Sequence, residues 1–353
     1  MAAKMKIGIL SAGGDCPGIN AAIRGVGKTA LLNYGMEVIG FNNGFSGLID
    51  KDFRNLDEAS LSGILTMGGT VLGTSRVKPF KSTDENDLPN IICDNYRSLG
   101  LDALVCIGGN GTQRTASMLS DIGLNIVGVP KTIDNDVWGT DTTFGFDTAV
   151  NIASEAIDRL HTTANSHRRV MVIEVMGHNA GWLALYSGLA SGGDVILIPE
   201  LEYDLEAVCE RLVERSANGK PCSIVVVAEG LQHPHPNKKT AGAYITKKIK
   251  KMTDLDTREA NLGYILRGGA PSPADRILAT RYGTKAATLI NEGRFGVMVS
   301  MQQGSISQVP LSDVCGKLRL VAPDDKMVLE GRMLGVCFGR KPGEPQAVRS
   351  AEG

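Results

Sequence analysis

The feature that most constrains the fold of this chain is an alternation between short β-branched runs and segments of helical length. The runs include KIGILSAGG, EVIGFNNG, ALVCIGGN, NIVGVPKT, RVMVIEVMG and SIVVVAEG, which end in glycine or a polar residue. Between them lie segments such as TQRTASMLSDI and LEAVCERLVERS. This pattern predicts an α/β fold in which mostly parallel sheets are covered by helices on both faces.

Length, charge and cysteine content limit the number of domains, the kind of partner and the cellular compartment. The chain has 353 residues, which is enough for two domains with a core each. Its 37 basic and 38 acidic side chains leave no charge excess that would favour nucleic acid or a membrane surface. A small-molecule partner is therefore favoured. Seven cysteines without CxxC spacing, and an N-terminal apolar run too short for a signal segment, predict a cytoplasmic protein.

The turn GGNGT, residues 108–112, lies between an apolar run and a segment of helical length. Ligands of parallel α/β sheets bind beyond the carboxyl ends of the strands. Unpaired backbone N–H groups at such a strand–glycine–helix turn commonly hold a phosphate. The turn is therefore a candidate phosphate site, although an amide, Asn110, stands at its centre where a metal-binding turn would favour a carboxylate.

The stretch PKTIDND, residues 130–136, packs a lysine, a threonine and two carboxylates behind the apolar run NIVGV. Burying Asp134 and Asp136 together at the end of a strand would be costly without a substrate or metal. Phosphoryl transfer gives both a role, since one can take the proton from an attacking hydroxyl and the other can help to hold Mg²⁺. The alternative from these residues alone is a surface turn rich in Asp and Asn.

Two common nucleotide motifs are absent from the sequence. GVGKT at residues 25–29 resembles the end of a Walker A loop, but Ala22 stands where that loop requires glycine. GGDCPG at residues 13–18 is not GxGxxG, and FNNG after the second run offers no acidic residue for a ribose hydroxyl. These departures argue against a P-loop protein and against a nicotinamide-dependent dehydrogenase.

Four arginines stand close to glycine turns or strand ends, where a guanidinium could bind a phosphate through two hydrogen bonds. Each alone is more often a surface ion-pair partner, but together with the glycine turns they indicate a site for two phosphorylated ligands. They are Arg76, Arg169, Arg258 and Arg267.

In order and spacing, the motifs GGDCPGIN, GGTVLGTSR, GGNGT, PKTIDND, VIEVMG, VAEG and LGYILRGG resemble those of the phosphofructokinase family, from about residue 5 to about residue 340. Members transfer a phosphoryl group from ATP or pyrophosphate, with Mg²⁺, to the 1-hydroxyl of fructose 6-phosphate. The resemblance implies two Rossmann-like three-layer domains with the active site between them. The larger, donor-binding domain would comprise residues 1–145 and about 266–315, and the smaller, sugar-phosphate-binding domain about 146–265 and about 316–353.

The resemblance also implies roles for the individual residues. Asp134 would be the general base, Thr132 a ligand to the transferred phosphoryl group, and Arg76 and the Gly14 N–H would stabilise its charge. Asn110 and Asp136 would be the metal ligands. The implied donor-binding residues are Gly14, Arg76, Val77, Gly109, Asn110, Gly111, Thr112, Gln113 and Lys131.

The implied sugar-phosphate site draws on residues along most of the chain. Arg169 and Arg258 correspond to arginines that reach in from a neighbouring subunit, which implies a homo-oligomer, either a homotetramer or a homodimer. The full set is Thr132, Asp134, Asp136, Arg169, Met176, Gly177, His178, Glu229, Arg258, Tyr264 and Arg267.

Three positions depart from the pattern of many members. Tyr264 stands in place of histidine, and a phenol can still donate to phosphate. His178 replaces an arginine and so removes a fixed positive charge. Asn110 replaces an aspartate, so that metal binding would depend more on Asp136 and on the phosphates themselves.

Two positions bear on the phosphoryl donor. Pyrophosphate enzymes usually carry a second aspartate where this chain has Gly111, and that side chain blocks the α-phosphate of a nucleotide. Lys131, in contrast, is the residue typical of the pyrophosphate enzymes. Steric exclusion outweighs one added charge, so the sequence favours ATP. The alternatives are a pyrophosphate-dependent enzyme and, because of Asn110, a regulatory sugar-phosphate-binding subunit with weakened catalysis.

Overall fold

The computed structural model describes residues 4–81, 87–236 and 239–341. The chain divides into two compact units, the first formed by Met1–Thr148 and Arg267–Arg319 and the second by Ala149–Leu266 and Leu320–Gly353. Residues 342–353, which the sequence assigns to the smaller domain, lie outside the described residues.

Strands and helices alternate along most of the chain. The strands are β1 (Lys6–Ala12), β2 (Glu37–Phe41), β3 (Phe53–Asn55), β4 (Ala103–Gly108), β5 (Ile126–Thr132), β6 (Phe144–Gly145), β7 (Val170–Val175), β8 (Val195–Leu197), β9 (Ser223–Ala228), β10 (Thr257–Asn261), β11 (Val297–Gln302) and β12 (Ser305–Pro310). The α-helices are α1 (Ile19–Tyr34), α2 (Phe45–Asp50), α3 (Leu88–Ser98), α4 (Asn110–Asp121), α5 (Phe146–His167), α6 (Trp182–Ala190), α7 (Leu205–Ala217), α8 (Ala241–Met252), α9 (Pro273–Asn291), α10 (Leu311–Val314) and α11 (Lys326–Met333). Short 3₁₀ helices cover Ile64–Thr66, Pro79–Lys81 and Gly263–Arg267.

The sheet of the first unit is parallel in its centre and antiparallel at its edges. Its strand order is β12-β11-β5-β4-β1-β2-β3, and β6 pairs with β5. The strands β2, β1, β4, β5 and β11 run parallel, whereas β3 and β12 pair antiparallel to their neighbours. Every residue of β4 is buried, while β12 is only partly buried, as expected for a central strand and an edge strand.

The register of the three central strands brings their carboxyl ends to one edge of the sheet. Ala12 at the end of β1 pairs with Gly108 at the end of β4, and Gly108 pairs with Pro130 near the end of β5. The turns that follow these strands, which contain the GGNGT and PKTIDND motifs, therefore leave the sheet side by side.

The second unit has a smaller sheet that is parallel throughout. Its order is β10-β7-β9-β8, and the strands β7 and β9 are buried at every position. Val172, Val225 and Val227 belong to its core, against which α7 and α8 contribute Val208 and Ile245. The β-branched content of these strands suits a sheet that is covered on both faces.

The predicted α/β class with mostly parallel sheets is confirmed for both units. Among the helices of the described ranges, none combines the length and the apolar character that a membrane crossing needs.

The second unit also buries the carboxylate of Glu200, shortly after β8. Its Oε1 accepts hydrogen bonds from the Gly181 N–H at 2.8 Å and from the Val321 N–H at 3.0 Å. Burial raises the pKa of Glu200, and the two hydrogen bonds act in the opposite direction. The folded chain therefore retains a proton at pH values where the unfolded chain has released it.

Glu200→Gln is expected to reduce the pH dependence of the free energy of unfolding. The contribution of a carboxylate with a raised pKa is present below its unfolded pKa and is lost as the pH rises through the folded pKa. Glutamine can accept both amide hydrogen bonds through one oxygen and does not ionise. Urea denaturation from about pH 5 to about pH 8 should show the variant gaining stability relative to the wild type as the pH rises. A difference that stays constant or shrinks would contradict this.

Candidate active site

The glycine turn after β1 is fixed by the segment that precedes Arg76. The Gly13 N–H donates to the Ser75 carbonyl at 2.9 Å, and the Thr74 hydroxyl donates to the Gly13 carbonyl at 2.7 Å. Gly13 has a φ of 84°, in the left-handed region that favours glycine. Arg76 and the neighbouring Val77 are exposed beside this turn.

Gly14 allows the guanidinium of Arg267 to approach the turn closely. A Cβ atom at position 14 would lie 3.1 Å from Arg267 Cζ, which is tighter than most real carbon contacts. Arg267 lies in the first unit, and its charge therefore stands beside the backbone that follows β1. A phosphate bound at this turn would meet both a backbone N–H and a guanidinium.

The turn after β4 leads directly into α4 without a side-chain cap. Gly109 is the N-cap residue, and its carbonyl accepts hydrogen bonds from the Thr112 and Gln113 N–H groups at 2.9 and 3.0 Å. The first N–H groups of a helix have no partner within it and carry the positive end of its dipole. A Cβ atom at Gly111, in this first turn, would have no atom within 4 Å apart from its chain neighbours and the backbone of its own helix. The helix start is thus an open site for an anion.

Two of the predicted donor-binding residues hold the strand ends together. Gln113 is fully buried, and its Nε2 donates to the Gly108 carbonyl at 2.8 Å and to the Val129 carbonyl at 3.0 Å. The Thr112 hydroxyl donates to the Ala12 carbonyl at 3.3 Å. These contacts join the ends of β1, β4 and β5, so both side chains position the turns.

The loop after β5 carries the two carboxylates in a tightly constrained backbone. The Asp134 N–H donates to the Thr132 hydroxyl at 3.1 Å. Asn135 has a φ of 54°, and its Oδ1 accepts a hydrogen bond from the Thr143 N–H at 3.0 Å. Asp134 is partly exposed, whereas Asp136 is buried. Asp134 is therefore the more accessible of the two residues.

Lys131 connects this loop to the glycine turn. It is only 3% exposed, and its Nζ donates to the Gly14 carbonyl. Burial lowers the pKa of Lys131, while the nearby Cys16 thiol and Asp134 carboxylate act in the opposite direction. The lysine therefore lies among the same turns as Asp134 and the α4 start.

The residues at this edge fit a divalent cation that is shared with a ligand. Asn110 Nδ2 donates to the Asp136 carbonyl at 3.5 Å, and Asn110 Oδ1 is buried without a hydrogen-bond partner in the described part of the chain. An amide oxygen of this kind is a suitable ligand for Mg²⁺. The described residues contain no cluster of three or more His, Cys, Asp and Glu side chains with metal-site spacing, so a cation here would need further ligands from water or phosphate.

In the second unit, Glu229 fixes the turn after β7. Its Oε1 accepts hydrogen bonds from the Gly177 N–H at 3.2 Å and from the His178 N–H at 2.8 Å. His178 has a φ of 51°, and Gly177 has a φ of 143°. Glu229 and His178 line a cavity of about 660 Å³, while Met176 beside them is buried. The turn thus presents a carboxylate and an imidazole to the same space.

Two of the predicted phosphate-binding arginines share one carboxylate. Arg169 Nε lies 2.5 Å from Asp256 Oδ2, and Arg258 Nη1 contacts the other oxygen of Asp256. These ion pairs are partly exposed, and Arg169 lowers the pKa of Asp256. Tyr264, which the sequence assigns to the same phosphate, is 73% exposed. The prediction that a neighbouring subunit brings these arginines to the sugar phosphate stays a prediction.

Some residues that shape the site were not predicted from the sequence. The backbone N–H of Arg319 donates to the Asp136 carbonyl at 2.9 Å, and its side-chain Nη1 donates to the Asn135 carbonyl at 3.1 Å. Glu174, in the buried strand β7, contacts α8 and β10. A charged residue within the apolar run VMVIEVM is the sequence signal that could have identified Glu174.

Comparisons with known proteins agree with this arrangement. Residues 6–290 match the family model described as Phosphofructokinase. The chain is 57% identical over 338 residues to ATP-dependent 6-phosphofructokinase 3 of Bacteroides thetaiotaomicron, with 95% of this chain and 100% of that protein covered. It is also 47% identical over 336 residues to Pyrophosphate–fructose 6-phosphate 1-phosphotransferase of Streptomyces coelicolor, with 90% and 97% covered.

A solved structure supports the same relationship. Phosphofructokinase from Saccharomyces cerevisiae matches with a TM-score of 0.80 and 30% sequence identity. The match covers 88% of this chain and 45% of that chain, so this chain spans less than half of the yeast protein.

Proposed function

Because this chain belongs to the phosphofructokinase family, we propose that it is an ATP-dependent 6-phosphofructokinase. It would transfer the γ-phosphoryl group of ATP to the 1-hydroxyl of D-fructose 6-phosphate and form fructose 1,6-bisphosphate, a reaction of glycolysis. The observation that carries the proposal is the meeting of the glycine turn, the open start of α4 and the Asp134 loop at one edge of the sheet. These elements supply phosphate binding and a base together.

In this mechanism the donor phosphates bind to the first unit. The N–H groups at the start of α4 and the N–H of Gly14 donate to phosphate oxygens, and Lys131 adds positive charge beside them. Arg76 stabilises the charge of the phosphoryl group in transit. Asn110 Oδ1 and Asp136 would hold Mg²⁺, which neutralises phosphate charge when bound.

Asp134 acts as the general base on the sugar. Its carboxylate takes the proton from the 1-hydroxyl as that oxygen bonds to the γ-phosphorus, and the bond to the bridging oxygen of ADP breaks. Thr132 orients the loop, because its hydroxyl accepts the Asp134 N–H. We also assign the Thr132 hydroxyl as a ligand to the transferred phosphoryl group.

We assign sugar binding to Glu229, Met176 and the Gly177–His178 turn. Binding of the 6-phosphate we assign to Tyr264, Arg169, Arg258 and Arg267. Arg169 and Arg258 would exchange their contact with Asp256 for the phosphate of a neighbouring subunit. This makes the active enzyme a homo-oligomer, a homotetramer or a homodimer. The seven cysteines without CxxC spacing fit a cytoplasmic enzyme.

The donor assignment depends on the space at Gly111. A Cβ atom there has no neighbour within 4 Å, which leaves room for the α-phosphate of a nucleotide. Lys131 and His178 favour the second candidate, a pyrophosphate-dependent fructose 6-phosphate 1-phosphotransferase, and a relative with that name is 47% identical. Since open space permits ATP and one added charge does not exclude it, ATP is the donor we propose.

The wild-type protein is expected to form fructose 1,6-bisphosphate from fructose 6-phosphate with Mg-ATP and not with Mg-pyrophosphate. Asp134→Asn should lower kcat by about 100-fold or more, because it removes the general base. Asp141→Asn is the matched control, since the Asp141 side chain accepts a hydrogen bond from the Gln303 N–H on the exposed surface. Turnover with pyrophosphate alone would reject the donor assignment, and full activity of Asp134→Asn would reject the base.

Gly111→Asp is expected to lower kcat/KM for ATP by about 100-fold, since a carboxylate at the open helix start repels and obstructs the α-phosphate. The thermal midpoint should stay close to that of the wild type, because a Cβ atom at this position contacts nothing outside its own helix backbone and chain neighbours. Gly111→Ala is the matched control and should retain most ATP turnover. Equal losses of kcat/KM for ATP in both variants would show that the loss comes from replacing glycine and not from the carboxylate.

Asn110→Asp tests the remaining alternative, a regulatory subunit with weakened catalysis. A carboxylate at this position would supply the charge that the amide lacks and would bind Mg²⁺ more tightly. We expect the substitution to lower the Mg²⁺ concentration for half-maximal activity with less than about a threefold change in kcat, and titration of activity against Mg²⁺ measures both. A large rise in kcat from a nearly inactive wild type would instead support the regulatory subunit.

A further inference from the structure

The second unit contains a buried carboxylate whose contacts are not used in the mechanism above. Glu174 is the fifth residue of β7 and is only 5% exposed. Its Oε2 accepts a hydrogen bond from the Gly242 N–H at 2.6 Å, and its Oε1 accepts one from Asn261 Nδ2 at 2.6 Å. Its backbone carbonyl also accepts a hydrogen bond from the Leu262 N–H at 3.0 Å. One residue therefore joins β7 to the start of α8 and to the end of β10.

The approach of α8 to Glu174 depends on a glycine. A Cβ atom at Gly242 would lie 3.1 Å from Glu174 Cβ and 3.3 Å from Glu174 Oε2. The helix start is held independently by Thr240, whose hydroxyl accepts the Ala243 N–H at 3.2 Å and donates to Glu259 at 3.1 Å. The amide of Gly242 is thus aimed at the carboxylate by a capped helix end.

The segments that Glu174 joins lead into the proposed sugar-phosphate residues. Met176 and the Gly177–His178 turn follow Glu174 after one residue, and that turn donates two N–H groups to Glu229. Tyr264 follows Asn261 after two residues, at the start of the 3₁₀ helix Gly263–Arg267. Glu174, His178 and Glu229 line the same cavity of about 660 Å³.

Keeping a carboxylate at this place is unfavourable for stability alone. Burial raises the pKa of Glu174, and the carboxylates of Glu259 and Glu229 raise it further, while the hydrogen bond from the Gly242 N–H acts in the opposite direction. An apolar residue would fit the buried strand without a desolvation cost. Compared with an apolar residue, the carboxylate gains the hydrogen bonds with Gly242 and Asn261.

We propose that Glu174 is a positioning residue for fructose 6-phosphate. Resting on the function proposed above, it fixes the end of β10 relative to β7, so that Tyr264 and the Gly177–His178 turn keep their sugar-binding geometry. It acts through Asn261 and Gly242 and takes no part in the chemical step. Its loss therefore affects binding of the sugar phosphate more than the phosphoryl transfer.

The direction of the hydrogen bond, in which Asn261 donates and Glu174 accepts, provides a specific test. In Glu174→Gln, the glutamine oxygen can accept the Gly242 N–H while its Nε2 donates to Asn261 Oδ1 after rotation of the asparagine amide. Asn261→Asp sets two carboxylates against each other, and Glu174→Leu leaves both donors unpaired. The double variant Glu174→Gln/Asn261→Asp restores a donor–acceptor pair.

The effect of these four variants is measured by steady-state kinetics and by thermal denaturation. The kinetics use the phosphoryl donor that the wild type accepts. Glu174→Leu and Asn261→Asp should each raise KM for fructose 6-phosphate by about tenfold, the equivalent of one lost charge-assisted hydrogen bond. Changes in kcat and in KM for the donor should stay below about threefold. Glu174→Gln and the double variant should return KM for the sugar phosphate to within about threefold of the wild type.

Glu200→Gln is the control, because Glu200 is another buried glutamate in the same unit and accepts two backbone N–H groups. It should leave KM for fructose 6-phosphate unchanged. The proposal is overturned if folded Glu174→Leu and Asn261→Asp keep the wild-type KM, if their kcat falls as much as KM rises, or if the double variant is no better than Asn261→Asp. Absence of any wild-type turnover with either donor would instead reject the proposed function, and this inference with it.

Discussion

The arrangement of the first unit depends on the parallel register of β1, β4 and β5. Residues that are almost 120 positions apart, such as Ala12 and Pro130, lie at the same edge of the sheet because each pairs with Gly108. Parallel strands achieve this only when the connections between them return over the faces of the sheet. Short turns after these strands are then enough to place the functional groups close together, because the sheet already brings the turns to one edge.

The second unit uses the same constraint with a different chemical result. Its strands also end together, but the groups at that edge are carboxylates that accept backbone N–H groups, as Glu229 and Glu174 do. In the first unit, by contrast, the backbone itself offers the N–H groups at the start of α4. One edge therefore offers backbone donors at a helix start, whereas the other uses carboxylates as acceptors to fix its own backbone.

Much of this was accessible from the sequence, because it depends on local patterns. The alternation of apolar runs and helical segments predicted the fold class, and GGNGT and PKTIDND correctly marked the turns after β4 and β5. The side-chain partners were not accessible, since they join residues far apart in the chain. The contact of Lys131 with the Gly14 carbonyl, and the pairing of Arg169 and Arg258 with Asp256, depend on packing that no local pattern encodes. Glu174 was overlooked for the same reason, although its presence in an apolar run was visible.

The open space at Gly111 has a consequence for how proteins of this kind diversify. A position at the start of a helix with no neighbour within 4 Å tolerates many side chains without a folding cost. Most residues that touch a ligand are also held by the core, so that changing them endangers the fold. Under the proposed function, ligand choice and foldability are separated at Gly111, and variation can accumulate there under selection for the ligand alone. Related chains that use different phosphoryl donors can therefore share one scaffold with little compensating change elsewhere.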